Sequence, residues 1–214
     1  MSCQHCCGAN QQFDTKSAKK DLKRYLKRGP RKPTKRLTEA FKKLDINNLS
    51  LLDIGGGVGP IPLELIPQGL SKVTDVDASE GYINVAKSEA KKRDYKEKIN
   101  YLTGDFTDVH SQIEAHDIVT LDKVICCYPF VENLLKTSLS KAKTYYALVY
   151  PQANFLSRTT VWFLNMTLKI RGNPFRTFIH DQKVIDRLIA SAGFTEIYKG
   201  STFLSWQIHL YKRE

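Results

Sequence analysis

The chain has 214 residues, of which 42% are hydrophobic, and its formal net charge is +11. This length suits one domain with a substantial core and is too short for two domains of ordinary size. No apolar run approaches the roughly 18 residues that cross a bilayer, and the polar start of the chain is unlike a signal peptide. Five cysteines, an odd number, do not form a typical disulfide framework. We therefore expect a cytoplasmic protein without a transmembrane segment.

Residues 1–45 form a basic N-terminal segment, and residues 15–43 within it carry the excess charge. Between Thr15 and Lys43 there are thirteen Lys and Arg residues and two acids, and their net charge of +11 equals that of the whole chain. Apolar residues at helical spacing predict an amphipathic helix that ends at Gly29, and a second one over residues 34–44. We predict that this segment is a basic helical cap on the core. Its charge is equally consistent with attraction of an anionic substrate, RNA or a peripheral contact with acidic lipid.

Three cysteines near the start of the chain form a candidate metal site. Cys3, Cys6 and Cys7 flank His5, and thiolates with imidazole are ligands that zinc prefers. Ligands so close together reach one tetrahedral ion with difficulty, and no second C-x-x-C follows them. We therefore predict no resident metal, with a zinc or metalloid site as the alternative.

The most informative segment follows a strand predicted at residues 50–54. From Asp53 to Gly59 the sequence reads DIGGGVG, in which the glycines allow a sharp turn and a close approach to a ligand. Asp77 ends the next predicted strand 22 residues after Gly55, the distance at which a strand–loop–helix–strand unit brings a carboxylate to ribose hydroxyls. Neither the dinucleotide fingerprint nor a triphosphate-binding motif is present. These spacings indicate a different adenosine cofactor.

The D-x-G-x-G-x-G pattern resembles the first motif of the class I S-adenosylmethionine (SAM) dependent methyltransferases. Residues 72–79 and 101–106 resemble the second and third motifs of that family. The resemblance implies that SAM is the cofactor, that the last acid of the second motif binds the ribose, and that the third motif supplies a carboxylate for the adenine amino group and a side chain that packs on the ring. The expected cofactor-binding residues are Asp53, Gly55, Gly57, Gly59, Asp77, Asp105 and Phe106. Helix capping and core packing are the structural alternatives for the last two.

Strands and helices alternate along the rest of the chain. The predicted strands cover residues 50–54, 72–77, 99–103, 117–122 and 145–150, and the predicted helices between them cover residues 60–66, 80–93 and 131–140. A later helix over 181–192 is followed by a hairpin over 195–202 and 205–211. We predict an α/β fold: a doubly wound, mostly parallel seven-stranded sheet of the Rossmann-like methyltransferase type, with an antiparallel hairpin at its C-terminal edge. Residues 46–214 would form this domain.

Residues 152–180 interrupt the alternation and are rich in aromatic and apolar residues and in arginine. Ligands of open α/β sheets bind beyond the carboxyl ends of the strands, so we expect this insertion to form a lid over the cofactor. Its arginines would then hold a carboxylate or phosphate. Packing helices whose arginines face water are the alternative interpretation.

Three side chains are candidate catalytic residues. Asp122, Tyr128 and His180 could accept a proton from, or orient, a hydroxyl acceptor, whereas a carboxylate acceptor needs placement alone. The segments around these residues resemble those of magnesium-protoporphyrin O-methyltransferases, and the chain departs from them at Cys126 and Cys127. Arsenite methyltransferases place a metalloid-binding cysteine in the same neighbourhood.

We therefore predict a SAM-dependent methyltransferase that acts on a small molecule, anionic or apolar, at a hydroxyl or carboxylate oxygen. The alternatives are an RNA methyltransferase that uses the basic N-terminal helices, a thiol-dependent metalloid methyltransferase, and a non-catalytic SAM-binding protein.

Overall fold

The computed structural model describes residues 12–203 and 206–214. The candidate metal ligands Cys3, His5, Cys6 and Cys7 lie outside these residues.

A single seven-stranded sheet forms the centre of the molecule, in the order β3-β2-β1-β4-β5-β7-β6. The first five strands are parallel, and β7 pairs antiparallel with both β5 and β6. The predicted α/β fold with its antiparallel edge is confirmed. The strands are β1 (Ser50–Ile54), β2 (Lys72–Asp77), β3 (Ile99–Thr103), β4 (His116–Asp122), β5 (Ala142–Pro151), β6 (Phe194–Ser201) and β7 (Trp206–Arg213).

Helices cover both faces of the sheet, and each face has its own apolar core. One core joins the sheet to α6 and α8 through residues such as Leu135 and Ile185. The other joins it to α2 and α3 through residues such as Phe41 and Leu65. The helices are α1 (Thr15–Arg28), α2 (Lys32–Phe41), α3 (Pro60–Leu65), α4 (Glu80–Lys92), α5 (Phe106–Val109), α6 (Val131–Leu139), α7 (Phe155–Ile170) and α8 (Gln182–Ser191).

The two basic helices at the start of the chain pack on the core and on α4. Asp14 caps α1 by accepting a hydrogen bond from the Ser17 backbone N–H at 2.7 Å, and Gly29 ends the helix with a φ of 69°. The start of α1 lies so close to α4 that a Cβ on Gly81 would stand 2.7 Å from the backbone nitrogen of Thr15. A glycine at this position therefore permits the contact.

Residues 152–180 form one helix, α7, and an extended segment that leads to α8. Within the described part of the chain, no helix combines the length and the apolar character that crossing a bilayer requires.

Candidate functional site

A cavity of about 310 Å³ lies at the carboxyl ends of the central strands. The strand order reverses between β1 and β4, and such a switch point is where open α/β sheets bind ligands. Eight of the ten predicted site residues line the cavity. They are Asp53, Gly55, Gly57, Asp77, Asp105, Phe106, Asp122 and Tyr128.

The loop after β1 forms one wall of the cavity and depends on its glycines. Gly55 has a φ of 67°, and a Cβ on it would stand 2.5 Å from Cγ2 of Val124. Gly56 was not among the predicted cofactor-binding residues, yet a Cβ on it would stand 2.5 Å from Oδ1 of Asp75. Gly59 does not line the cavity. It is the N-cap residue of α3 and has a φ of 75°. The loop therefore brings backbone, without side chains, to the cavity surface.

Asp77, at the end of β2, is held in place by backbone donors. Its Oδ2 accepts a hydrogen bond from the Gly57 N–H at 3.0 Å, and its Oδ1 accepts one from the Ser79 N–H at 2.8 Å. Burial raises the pKa of this carboxyl, while the two backbone hydrogen bonds oppose the rise. Asp75 is fully buried and does not line the cavity. Asp77 is therefore the acid of β2 that a ligand can reach.

Asp53 is a buried acid, and one of its two carboxylate oxygens has no protein partner among the described residues. Its Oδ1 accepts a hydrogen bond from the Thr120 hydroxyl at 2.6 Å, and its Oδ2 has no hydrogen-bond partner among the described residues. Asp53 pairs in register with Asp75 on the neighbouring strand. Burial is the main reason that the pKa of Asp53 rises from 3.8 to about 7, and Asp122 and Asp77 add to the rise. A cationic group in the cavity would satisfy this carboxylate.

The raised pKa of Asp53 predicts how stability depends on pH. The folded protein keeps a proton that the unfolded chain loses near pH 3.8, so the free energy of unfolding should fall as the pH rises from about 4 to about 7. Replacement Asp53→Asn should remove this residue's share of the slope, measured by urea denaturation across that range. Glu97→Gln, a surface control, should keep the slope. A slope unchanged in Asp53→Asn would show that Asp53 does not carry the proton.

Asp105, Phe106 and Tyr128 form the opposite wall. Asp105 caps α5 by accepting a hydrogen bond from the Thr107 N–H at 2.9 Å, so the capping alternative is observed together with its place on the cavity. The Tyr128 hydroxyl lies 3.1 Å from each Asp105 oxygen. Phe106 is 4% exposed and lines the cavity. The Tyr128 hydroxyl therefore orients the Asp105 carboxylate.

A polar cluster lies at the end of β4, and Asp122 is the one member of it that was a predicted site residue. Asp122 Oδ2 accepts hydrogen bonds from the Thr34 hydroxyl at 2.6 Å and from Lys123 Nζ at 2.7 Å, and Lys123 also donates to the Thr34 oxygen at 2.7 Å. Lys123 has a φ of 66°, which is uncommon for a residue with a Cβ. Asp122 Oδ1 is buried and has no partner among the described residues. The cluster puts a positive and a negative charge on the cavity surface.

His180 lies apart from the cavity. Its Nε2 is 2.8 Å from the Ile125 carbonyl oxygen, so this nitrogen carries the proton and donates it. The ring stacks on Phe178, and burial lowers the pKa of the imidazole. The structure therefore places His180 outside the cavity, where the backbone of Ile125 and of Tyr128 engages its ring.

The basic N-terminal helices, rather than α7, cover the cavity. Asp21, Arg24, Tyr25, Arg31 and Thr34 line it, whereas Phe175 is the one residue of the expected lid, 152–180, among the described lining residues. Asp21 links the helices to the core, because it accepts hydrogen bonds from the Tyr82 hydroxyl at 2.8 Å and from Arg31 at 2.9 Å. The sequence predicted a basic cap on the core but not its place over the cavity, since this contact joins residues 61 positions apart.

Cys126 and Cys127 lie beside the polar cluster. Their Sγ atoms are 3.8 Å apart, Cys126 is buried, and Cys127 lines the cavity. In the part of the chain that the structure describes, no three His, Cys, Asp or Glu side chains group as metal ligands.

Comparisons with known proteins agree with this geometry. Residues 52–140 match the family model described as a methyltransferase domain. A magnesium protoporphyrin IX methyltransferase from Synechocystis PCC 6803, solved with bound SAM, is 18% identical with a TM-score of 0.70, and the match covers 98% of this chain and 97% of that one. A putative RNA methyltransferase from Pyrococcus horikoshii is 14% identical with a TM-score of 0.62, over 84% and 83% of the two chains.

A third structure, an O-methyltransferase family protein from Burkholderia thailandensis, is 12% identical with a TM-score of 0.71, over 95% of this chain and 62% of that one. No curated protein sequence matches the chain.

The sheet order, the glycine loop and the matched domain define a methyltransferase that uses SAM. The matched methyltransferase domain covers residues 52–140, and the sheet and motifs of the chain resemble those of the class I SAM-dependent methyltransferases.

Proposed function

We propose that the protein methylates an oxygen atom of a small anionic acceptor. The observation that carries this proposal is a basic recess of about 430 Å³ beside the cofactor cavity. Arg24, Arg31 and Lys123 line both spaces, and no acid is among the described residues that line the recess. The lining residues are Arg24, Arg31, Lys32, Pro33, Lys123 and Trp206.

The residues around the cavity fit SAM. Asp77 can accept hydrogen bonds from ribose hydroxyls, and the bare backbone at Gly55 and Gly56 leaves room that a Cβ would fill. The unpartnered Oδ2 of Asp53 suits the ammonium group of the methionine part. When bound, SAM supplies an electrophilic methyl group on its sulfonium sulfur.

The recess favours an anion because much of its charge is not neutralised. Arg31 pairs with Asp21 and Lys123 with Asp122, while no salt bridge joins Arg24 or Lys32 to a described acid. Arginine binds carboxylate and phosphate in a bidentate manner, and Trp206 offers an apolar surface beside them. An acceptor with one anionic group and an apolar body would match this lining.

Asp122 is the group that can take a proton from the acceptor. Its Oδ2 accepts hydrogen bonds from Thr34 and Lys123, so the proton would go to the unpartnered Oδ1, which is buried behind the cavity surface and must turn toward the acceptor. A hydroxyl acceptor needs this step, and a carboxylate acceptor, already ionised, needs only the cations of the recess. Tyr128 supports the site by orienting Asp105.

The size class of the acceptor can be tested with a cell extract. The extract would first be separated into macromolecules and small molecules, and the small molecules then divided on an anion exchanger. With labelled SAM and the protein, we expect methylation in the small-molecule fraction that the exchanger retained. Label in the macromolecular fraction, with binding that weakens steeply as salt is added, would favour RNA, the alternative suggested by the basic helices.

Once an acceptor is isolated, Arg24→Gln combined with Lys32→Gln should raise its KM by about 100-fold or more. Each lost hydrogen bond to a charged group is worth about 1.5–3 kcal/mol when the acceptor binds, and kcat should change less than KM. Lys20→Gln with Lys27→Gln removes the same charge from exposed positions of α1 outside the recess. Equal KM values in the two double variants would contradict the assignment of the recess.

A further inference from the structure

Helix α7 presents an apolar face to solvent. Its buried residues, Ser157 and Leu168, lie on one side of the helix. At about 100° per residue, the large apolar side chains fall on the opposite side, within an arc of about 120°. They are exposed, up to 85% for Phe155 and 78% for Ile170. The face consists of Phe155, Leu156, Trp162, Phe163, Met166 and Ile170.

The charges of α7 have one sign. The helix contains no Asp or Glu, and Arg158 and Lys169 are exposed along one flank of the apolar face. Arg171 follows at the end of the helix and is also exposed. A partner of this face therefore has to combine negative charge with an apolar layer.

Another exposed apolar side chain, outside α7, lies near the start of that helix. Gln152, just before α7, lies within hydrogen-bonding distance of the Thr202 and Trp206 carbonyl oxygens, so the turn between β6 and β7 is attached to the start of the helix. Phe203 in that turn is 90% exposed. The apolar surface thus extends beyond the helix itself.

We propose that α7 is an interfacial helix that binds the surface of an anionic bilayer, with its apolar face in the acyl boundary and its cations among the headgroups. Aromatic and aliphatic side chains on one face and Lys or Arg beside them are typical of helices that lie in the membrane plane. Pairing of α7 with a second copy would bring Arg158, Lys169 and Arg171 of two molecules together, with no acid on either helix to offset them. A nucleic acid offers no apolar layer for the aromatic residues.

Trp162 is an internal probe for this contact. The chain has two tryptophans, so Trp206→Phe leaves Trp162 as the single one. Vesicles of phosphatidylcholine with about 30% phosphatidylserine should shift its emission to the blue, and doxyl-labelled lipid should quench it. Pure phosphatidylcholine vesicles should give a much smaller shift. A tryptophan signal that the anionic vesicles leave unchanged would overturn the proposal.

A pair of charge-matched variants in the same background separates apolar insertion from attraction by charge alone. Phe163→Glu places a carboxylate in the apolar face, whereas Thr160→Glu places one about 100° round the helix from the centre of that face. In vesicle sedimentation, Phe163→Glu should bind about tenfold more weakly than Thr160→Glu, the factor expected for losing one buried aromatic side chain. Circular dichroism would check that both variants fold.

Three further results would contradict the proposal. Equal binding of the two variants would remove the apolar face from the contact. Equal binding to neutral and anionic vesicles would remove the role of the cations. A blue shift that grows with protein concentration when vesicles are absent would assign the face to a second copy of the chain.

Discussion

Replacement Gly55→Val is expected to reduce SAM affinity by about 100-fold or more. Gly55 has a φ of 67°, where a branched side chain costs about 1–3 kcal/mol, and its Cβ would also stand 2.5 Å from Cγ2 of Val124. Either the loop or Val124 must then move, and because both line the cavity the cofactor site changes shape. Isothermal titration calorimetry with SAM measures the loss.

Gly172→Val is the matched control for this variant. Gly172 has a φ of 66°, and a Cβ on it would meet no atom within 4 Å. The control therefore carries the same backbone strain without a collision and away from the cavity, and it should bind SAM normally while it loses some stability. Normal SAM binding by Gly55→Val would show that the glycine loop does not hold the cofactor.

Replacement Asp122→Asn is expected to lower kcat by about 10²–10⁴-fold with a hydroxyl acceptor, because the amide cannot take the proton in the transition state. SAM affinity should stay the same. If the acceptor is a carboxylate, the variant should instead change the KM of the acceptor. Steady-state kinetics with the isolated acceptor, together with calorimetry for SAM, separate the two cases.

His180→Gln tests the alternative in which His180, and not Asp122, accepts the proton. The glutamine amide can still donate to the Ile125 carbonyl, and the ring lies outside the cavity, so kcat should remain near that of the unchanged enzyme. Loss of kcat in His180→Gln with full activity in Asp122→Asn would reverse the assignment of the proton acceptor.

The fold was predictable because its signals are local. Residues 51–54 form a short apolar run before a glycine loop, and the spacing from that loop to Asp77 is set by one strand–loop–helix–strand unit. Predicted helices also separate β2 from β3 and β4 from β5, while the only α-helix between β3 and β4 is the four-residue α5. The hairpin of β6 and β7 lies where the alternation ends.

The walls of the cavity were less predictable because they depend on distant parts of the chain. Thr34 and Asp122 are 88 positions apart, and no pattern in the sequence marks their contact. For α7 the apolar and aromatic composition was visible, but composition alone does not say whether a face turns to the core or to solvent. His180 was chosen by its position in the sequence, and only the structure shows that a backbone carbonyl engages it.

Helices α1 and α2 cover the cofactor cavity, and their opening should control how long the cofactor stays bound. The glycine loop and Asp77 belong to the sheet, whereas the cover consists of α1 and α2, held by contacts such as those of Asp21 with Tyr82 and of Thr34 with Asp122. Helices at the periphery of a domain open at lower free energies than the central strands of its sheet. We therefore expect amide hydrogen exchange in α1 to be faster than in β1 and β4. Release of the cofactor would then depend on local opening of the first helices while the sheet stays folded.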